Sequence, residues 1–251
     1  MEEKIYFGNK VEYILEAKYA LFSNPLLSIG GEKCSYQVPT YEAILRITEN
    51  IYWKPTFKWI IDSVTVLNPI DYETKAMKTR TKMDMKDNDL AYYTFLKNVK
   101  YLIKAHFEWN ENFPQFKEDR EVKKHKEIFE RSLKKGGRLR IFAGISECPA
   151  YVYPITKISE SYYNSIDIYP IGYMYHSKGY PNENKDGEEK MFVYLSNILM
   201  KKGVINYPKI EECDKRIIKD MSFYNFENKE TKDEEVNKWI YLKIWQNYMM
   251  N

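Results

Sequence analysis

An α+β fold is predicted for this 251-residue chain by three observations. Over the first 147 residues the hydrophobic period changes twice from two, the spacing of strands, to 3.6, the spacing of helices, and back. Both helical stretches carry boundary signals, Thr40 ahead of the first and Gly136-Gly137 behind the second. Tyrosine is abundant, at 23, against only 10 glycines and 10 prolines, a composition suited to strands with many amphipathic aromatic positions.

The elements follow in order. Val11–Phe22 has strand character, with Val11, Tyr13 and Leu15 on one face. Ser23–Val38 contains Asn-Pro and Gly-Gly and is expected to be a loop. Thr40 is the N-cap of a helix with Glu42 in its first turn. Glu42, Arg46, Glu49 and Asn50 make its polar stripe, and Ile44, Leu45, Ile47 and Ile51 its apolar side. Pro55 should end it near Trp53, leaving Tyr52 on the surface with little freedom. Phe57, Trp59 and Ile61 alternate, and Val64 and Val66 continue in the opposite phase, so this strand should slip at Asp62 and Ser63.

Asp71–Asp89 is charged and lacks a period, which predicts a long mobile connection. Tyr93–Trp109 alternates cleanly, with a bend expected near Asn98. Glu118–Lys135 returns to helical spacing, and Arg138–Ile145 is expected to be a strand. Strand, helix, strand, strand, helix, strand is the split βαβ order of a ferredoxin-like (RRM-like) domain spanning residues 1–147. Prolines 149, 154, 170 and 181 cut the rest, residues 148–251, into short pieces. These predict a smaller antiparallel sheet packed beside the first domain, with Met191–Pro208 as a strand and a short helix and a terminal helix over Glu234–Met249.

The net charge of +3 sets 39 basic against 36 acidic residues, so any basic surface must be local. Cys34, Cys148 and Cys213 are scattered and unpaired by motif. They give no disulfide framework or zinc site and fit a reducing cytoplasm. Asp84, Asp87 and Asp89 lack the spacing and turn glycine of a calcium loop, so neither metal nor cofactor is expected. No stretch has the length of a membrane span, and the first residues lack the apolar run of a secretion signal.

His125 lies between Val122 and Phe129 on one helical stripe, which holds its ring against the body of the protein beside the cation of Lys124. Such a pair suits phosphodiester cleavage. On spacing alone, however, the favoured reading is that His125 is a partly buried structural histidine and Lys124 part of a solvated run with Lys123 and Lys126. Lys134, Lys135, Arg138 and Arg140 surround Gly136-Gly137, where backbone N–H groups and cations suit a phosphate, although a capped helix end explains the same pattern. His106 shares the polar face of its strand with Lys100 and Lys104. His176 has no charged partner at useful spacing.

The strings YALF (residues 19–22), IYWKP (51–55) and VLNPI (66–70), with KKH (123–125) ahead of EIFERSLKKGG (127–137), resemble the CRISPR-associated Cas protein family five, subtype d, of type I-C systems. The likeness covers Tyr19–Pro69 closely, continues through Asn98–Trp109 and Arg131–Cys148, and is weak beyond Tyr180. It implies a ferredoxin-like subunit that cuts precursor CRISPR RNA without a metal and stays in the effector complex with the mature crRNA and the backbone and large subunits. It also implies Tyr52, Lys124 and His125 as the catalytic group. Lys33, Lys54, Lys104, Lys134, Lys135, Arg138 and Arg140 are then the candidate RNA contacts. Leu139 and Ser146 stand where the family often has basic residues, a departure that bears on RNA sequence preference. A non-catalytic subunit capping the crRNA 5′ handle is the alternative on the same scaffold, and a general RNA-binding module the third possibility.

Overall fold

A computed structural model of the chain describes residues 8–27, 32–80, 88–157, 160–181 and 188–221. The described chain divides into two compact units. Among the described residues, one comprises those up to Ser177 together with Tyr194–Asp214, and the other those of Lys178–Val193 and 215–221.

The first unit is built on strands β1 (Lys10–Ala20), β3 (Phe57–Val66) and β5 (Asn88–Trp109). β5 is the central strand, antiparallel to β1 on one side and to β3 on the other. β6 (Ala150–Tyr153) adds to β1, and β9 (Val204–Asn206) joins β3 to the end of β8 (Lys190–Lys201), giving the order β8-β9-β3-β5-β1-β6. The short β2 (Lys33–Cys34) and β4 (Tyr72–Arg80) pair with the first half of β5, and β7 (Tyr169–Gly179) pairs with β8. In the second unit, β10 (Asp214–Asp220) pairs with β8, and the Lys215 ammonium lies 3.9 Å from the centre of the Phe192 ring.

Alternation decides which face of the sheet is dry. Tyr13 and Leu15 of β1, Phe57, Trp59 and Ile61 of β3 and Ile103, Ala105 and Phe107 of β5 are all buried. Helices α1 (Tyr41–Ile51) and α2 (Val122–Lys134) cover that face with Ile44, Ile47 and Ile51 from one and Phe129 and Leu133 from the other. Phe129 meets Tyr13 and Trp59 at ring-centre distances of 6.1 and 5.1 Å. Burying a ring of this kind contributes about 1.5–3 kcal/mol. The opposite face carries cross-strand ion pairs, Lys104 with Glu12 at 3.0 Å and Lys100 with Glu16 at 3.3 Å.

Several expectations hold. Thr40 caps α1 by accepting a hydrogen bond from the Ala43 N–H at 3.2 Å. β3 shifts register between Ile61 and Ser63, and β5 bends at Asn98, whose φ is +50°. Other expectations need correction. Tyr72–Arg80, expected in a mobile connection, is a strand paired with β5. Its alternation is hidden because Glu73 and Lys75 take its inner face, where the Tyr19 hydroxyl donates to Glu73 at 3.0 Å and the Lys75 ammonium lies 3.4 Å from the Tyr19 ring centre.

Arg138–Ile145 is not a strand. Its first two N–H groups are spent on the Asn50 carbonyl, at 3.1 and 3.0 Å, and the ladder resumes only at β6. The strands after Cys148 extend the first sheet instead of forming a second one beside it, since β6 finds the open edge of β1 and β9 that of β3. Met191–Pro208 holds two strands and no helix. α2 begins at Val122, after a 3-10 turn over Pro114–Asp119. Glu234–Met249, Asp84, Asp87 and the Asp89 side chain lie outside the described residues. Among the described residues no helix is long and apolar enough to cross a membrane.

Gly144 shows how closely the irregular 138–149 segment approaches the chain just after β1. Its φ is +98°, and a Cβ there would stand 2.0 Å from the Leu21 carbonyl oxygen. Gly144→Ala is expected to cost at least about 3 kcal/mol, the upper range for a side chain forced into such a conformation, before the backbone overlap is relieved. The urea denaturation midpoint measures this.

Candidate active site

α1 ends where the site begins. The Tyr52 N–H closes the last turn on the Thr48 carbonyl, while its backbone is already extended, with φ −164° and ψ 127°. Pro55 follows three residues later and the chain turns into β3. Instead of reaching the surface, as the sequence predicted, the Tyr52 side chain turns inward and is wholly buried. The cause is local: the Trp59 indole N–H donates to the Tyr52 carbonyl at 2.7 Å, and the Phe57 ring lies 5.6 Å from the phenol.

His125 comes from the first turn of α2 and is buried among Phe57, Phe107 and Trp109 at ring-centre distances of 5.1, 6.2 and 5.8 Å. Its two nitrogens are both engaged. Nε2 lies 2.7 Å from the Asp119 main-chain carbonyl, and Nδ1 lies 2.7 Å from the Tyr52 hydroxyl. A carbonyl only accepts, so Nε2 carries the proton. In the neutral ring Nδ1 is then the acceptor, and Tyr52 donates to it.

Asp119, at the end of the 3-10 turn, joins this pair to the cations. One carboxylate oxygen accepts from the Lys124 ammonium at 2.5 Å. The other accepts from Thr56 Oγ1 at 2.8 Å and from Lys54 Nζ at 3.4 Å, and lies 3.5 Å from His125 Nε2. Desolvation opposes its ionisation, but the hydrogen bonds from Lys124 and Thr56 and the charges of Lys54 and His125 outweigh it and hold the acid at about 2. Asp119 and Lys124 stabilise each other's charge, and the ammonium is raised accordingly.

Burial lowers the basicity of His125. The Asp119 carbonyl and carboxylate work against that, and Lys54 and Lys124 add to it. Burial likewise pushes the Tyr52 phenol up to about 12, with Arg138 pulling it down and Asp119 pushing it further up. The Arg138 guanidinium sits 4.4 Å from the centre of the Tyr52 ring. It is held there because the Arg138 and Leu139 N–H groups are bound to the Asn50 carbonyl at the end of α1.

The structure therefore brings together Tyr52, His125 and Lys124, with Lys54 and Arg138 around them. Lys134 and Lys135 line a groove of about 650 Å³ that also includes Arg131 and Arg138. The glycine N–H groups beside them are not offered to a ligand, because Gly136 and Gly137 close α2 on the Leu133 and Ser132 carbonyls, each at 2.9 Å. Arg140 continues the same segment, its carbonyl 3.5 Å from Asn50 Nδ2. Lys33 instead stacks over Tyr93, 5.0 Å from the ring centre, and Lys104 is paired with Glu12 on the far face of the sheet. On that face His106 is hydrogen-bonded to Asp62 at 2.7 Å, a contact that raises its basicity against desolvation. His176 is buried and stacked on Tyr41.

Asp119 and Thr56 were not foreseen. The expected helix already covered residue 119, and nothing in the string FKEDR distinguishes that carboxylate from its neighbours. Among the described residues no group of histidine, cysteine and carboxylate side chains is arranged to hold a metal ion.

These features define a mixed α/β protein with a large antiparallel sheet, few helices and a buried Tyr–His pair behind a row of cations. The chain belongs to the Cas5d family, CRISPR-associated proteins (Cas_Cas5), whose family model matches residues 11–208. Its curated relatives include the CRISPR pre-crRNA endoribonuclease Cas5d of Mannheimia succiniciproducens, 27% identical over 80% of this chain and 96% of that protein. The CRISPR pre-crRNA endoribonuclease Cas5d of Thermus thermophilus is 29% identical over 55% of this chain and 60% of that protein. Among solved structures, a CRISPR-associated protein superposes with a TM-score of 0.68 at 34% identity, covering 84% of this chain and 96% of that one. A functionally uncharacterized protein from Streptococcus mutans gives 0.67 at 35% identity, over 84% and 97%.

Proposed function

We propose that this chain is a pre-crRNA endoribonuclease, like its named relatives, and that its site cuts the repeat by attack of the RNA's own 2′-hydroxyl. The 2′-oxygen forms a bond to phosphorus while the bond to the 5′-oxygen breaks, leaving a 2′,3′-cyclic phosphate and a 5′-hydroxyl. One proton leaves the 2′-oxygen and one reaches the 5′-oxygen. His125 serves as general acid or base, Tyr52 shares a proton with its Nδ1, and Lys124 offsets charge on the phosphorane oxygens. The observation that carries this reading is the 2.7 Å hydrogen bond between Tyr52 and His125, which joins two elements 73 residues apart beside Lys124.

The strand order β3-β5-β1-β6 with α1 and α2 on one face supports a ferredoxin-like core. We assign cleavage and the phosphate contacts to residues 1–147, with β6 completing the sheet of that core, and treat the rest of 148–251 as an extension that adds exposed aromatic side chains. The product crRNA stays bound by its 5′ handle in a type I-C effector complex in the cytoplasm. Lys54, Lys134, Lys135, Arg138 and Arg140 contact its phosphates, and exposed tyrosines such as Tyr151 and Tyr162 are available to stack on bases.

One observation favours a second reading, a non-catalytic subunit that caps the 5′ handle: neither Tyr52 nor His125 reaches the surface. The two are separated by incubating the protein with end-labelled repeat RNA in EDTA. Full cleavage to a cyclic-phosphate end is expected. Binding without cleavage under every condition favours the capping subunit, and a strict need for magnesium contradicts the chemistry given above.

A further inference from the structure

We infer that Asp119 is the positioning residue of this site: its carboxylate gathers Lys124 and Lys54 at the mouth, while its main-chain carbonyl fixes the His125 tautomer that accepts the Tyr52 proton. The inference rests on the active-site reading and adds to it a residue that no motif or hydrophobic period marks out.

The geometry supports the assignment in three ways. First, the carboxylate has four partners from two places in the fold: Lys54 and Thr56 in the connection between α1 and β3, and Lys124 and His125 in α2. A surface ion pair contributes about 1 kcal/mol or less, so fold stability alone gives little reason to converge so many groups on one acid. Second, the cations it gathers are the ones open to solvent. The Lys54 and Lys124 side chains keep 39% and 41% of their exposure, whereas that of His125 keeps none. An incoming phosphate therefore meets ammonium groups that Asp119 has already placed, with the imidazole directly behind them. Third, the two contacts to His125 are distinct. The carbonyl sets which nitrogen carries the proton, and the carboxylate at 3.5 Å favours the imidazolium that forms when Tyr52 gives its proton up.

The charged groups facing the pair are Asp119, Lys54 and Lys124 around the imidazole and Arg138 over the phenol. Only Asp119 is negative. Its carboxylate raises the proton affinities of His125, Tyr52 and Lys124 together. Removing that charge lowers all three, so both limbs of a pH–rate profile move toward acid. Asp119→Asn isolates the effect, because the main-chain carbonyl remains and the side chain can still accept from Thr56.

The test is single-turnover cleavage of repeat RNA by Asp119→Asn and Asp119→Glu across pH 5–10, beside RNA affinity and melting temperature. Asp119→Asn is expected to cleave about a hundredfold more slowly, the scale of loss when a reacting group is misplaced by an ångström. Its profile should move about one unit toward lower pH, the low end for a neighbouring opposite charge. RNA affinity should be equal or tighter, since Lys54 and Lys124 lose a competing anion, and Asp119→Glu should return the profile toward its original position. An unchanged rate and profile in Asp119→Asn would overturn the inference. So would a loss of cleavage that follows weakened binding and a lower melting temperature with the profile unmoved. Tyr52→Phe and His125→Ala run in parallel tell the two failures apart. Full cleavage by both removes the active-site reading itself, whereas their inactivity beside an unaffected Asp119→Asn overturns the positioning role alone.

Discussion

A repeat RNA with a single 2′-deoxy nucleotide ahead of the scissile phosphate is expected to bind as tightly as the all-ribose strand and to remain uncut. The expectation follows from where the nucleophile sits in the proposed chemistry. Among the described residues no serine or threonine hydroxyl and no cysteine thiol is hydrogen-bonded to the Tyr52 hydroxyl or the His125 ring, and the Thr56 hydroxyl is committed as a donor to the Asp119 carboxylate. In the proposed chemistry the attacking oxygen is the substrate's own, and deleting it leaves nothing to close the cyclic phosphate. Binding should survive, because the proposed contacts of the cations at the mouth are to phosphates, which the deoxy strand retains. Gel-shift affinity and denaturing gels on the same samples measure both quantities. Cleavage of the deoxy strand at the original position would show that a water or protein nucleophile does the work, and the proposed roles of Tyr52 and His125 would fall.

The parts of the molecule legible in the sequence are those written in a hydrophobic period. β1, α1, β3, β5 and α2 stand close to where alternation and helical spacing place them, because each buries one face against the same core. Even the bulge at Ile61/Ser63 is visible, since a slip of one residue moves Val64 and Val66 into the opposite phase. β4 was missed because its inward positions are Glu73 and Lys75, whose charged tips are met by Tyr19 and whose stems do the burying. Arg138–Ile145 was misread because its alternating residues serve an irregular segment whose hydrogen bonds go to Asn50 and Cys148 and not to a ladder. For the site, helical phase predicted that His125 faces inward, and the family resemblance supplied Tyr52 and Lys124. That these three meet depends on sheet order, which no local pattern carries. The burial of Tyr52 was hidden for the same reason, since it depends on Trp59 and Phe57 across a proline turn.

His125→Ala is expected to lower single-turnover cleavage by about a hundred- to ten-thousandfold, the range for losing one positioned acid or base. The same substitution should destabilise the fold. It leaves the Tyr52 hydroxyl without its acceptor in a dry site, at about 1–3 kcal/mol for the unpaired group, and removes one of the two donors to the Asp119 carbonyl, the Glu121 N–H remaining. It also opens a cavity between Phe57, Phe107 and Trp109. Activity must therefore be read per folded molecule, with RNA affinity as the gauge. Tyr52→Phe supplies the comparison: it keeps the ring against Phe57 and under Arg138 and removes only the hydroxyl that donates to Nδ1. If the two side chains work as one proton-sharing unit, the double variant should be scarcely slower than the slower single variant, because either change alone already disables the pair. Independent, multiplying losses would mean that Tyr52 and His125 act on different protons, one at the 2′-oxygen and one at the 5′-oxygen. The hydrogen bond between them would then hold the two groups in place without carrying a proton during the reaction.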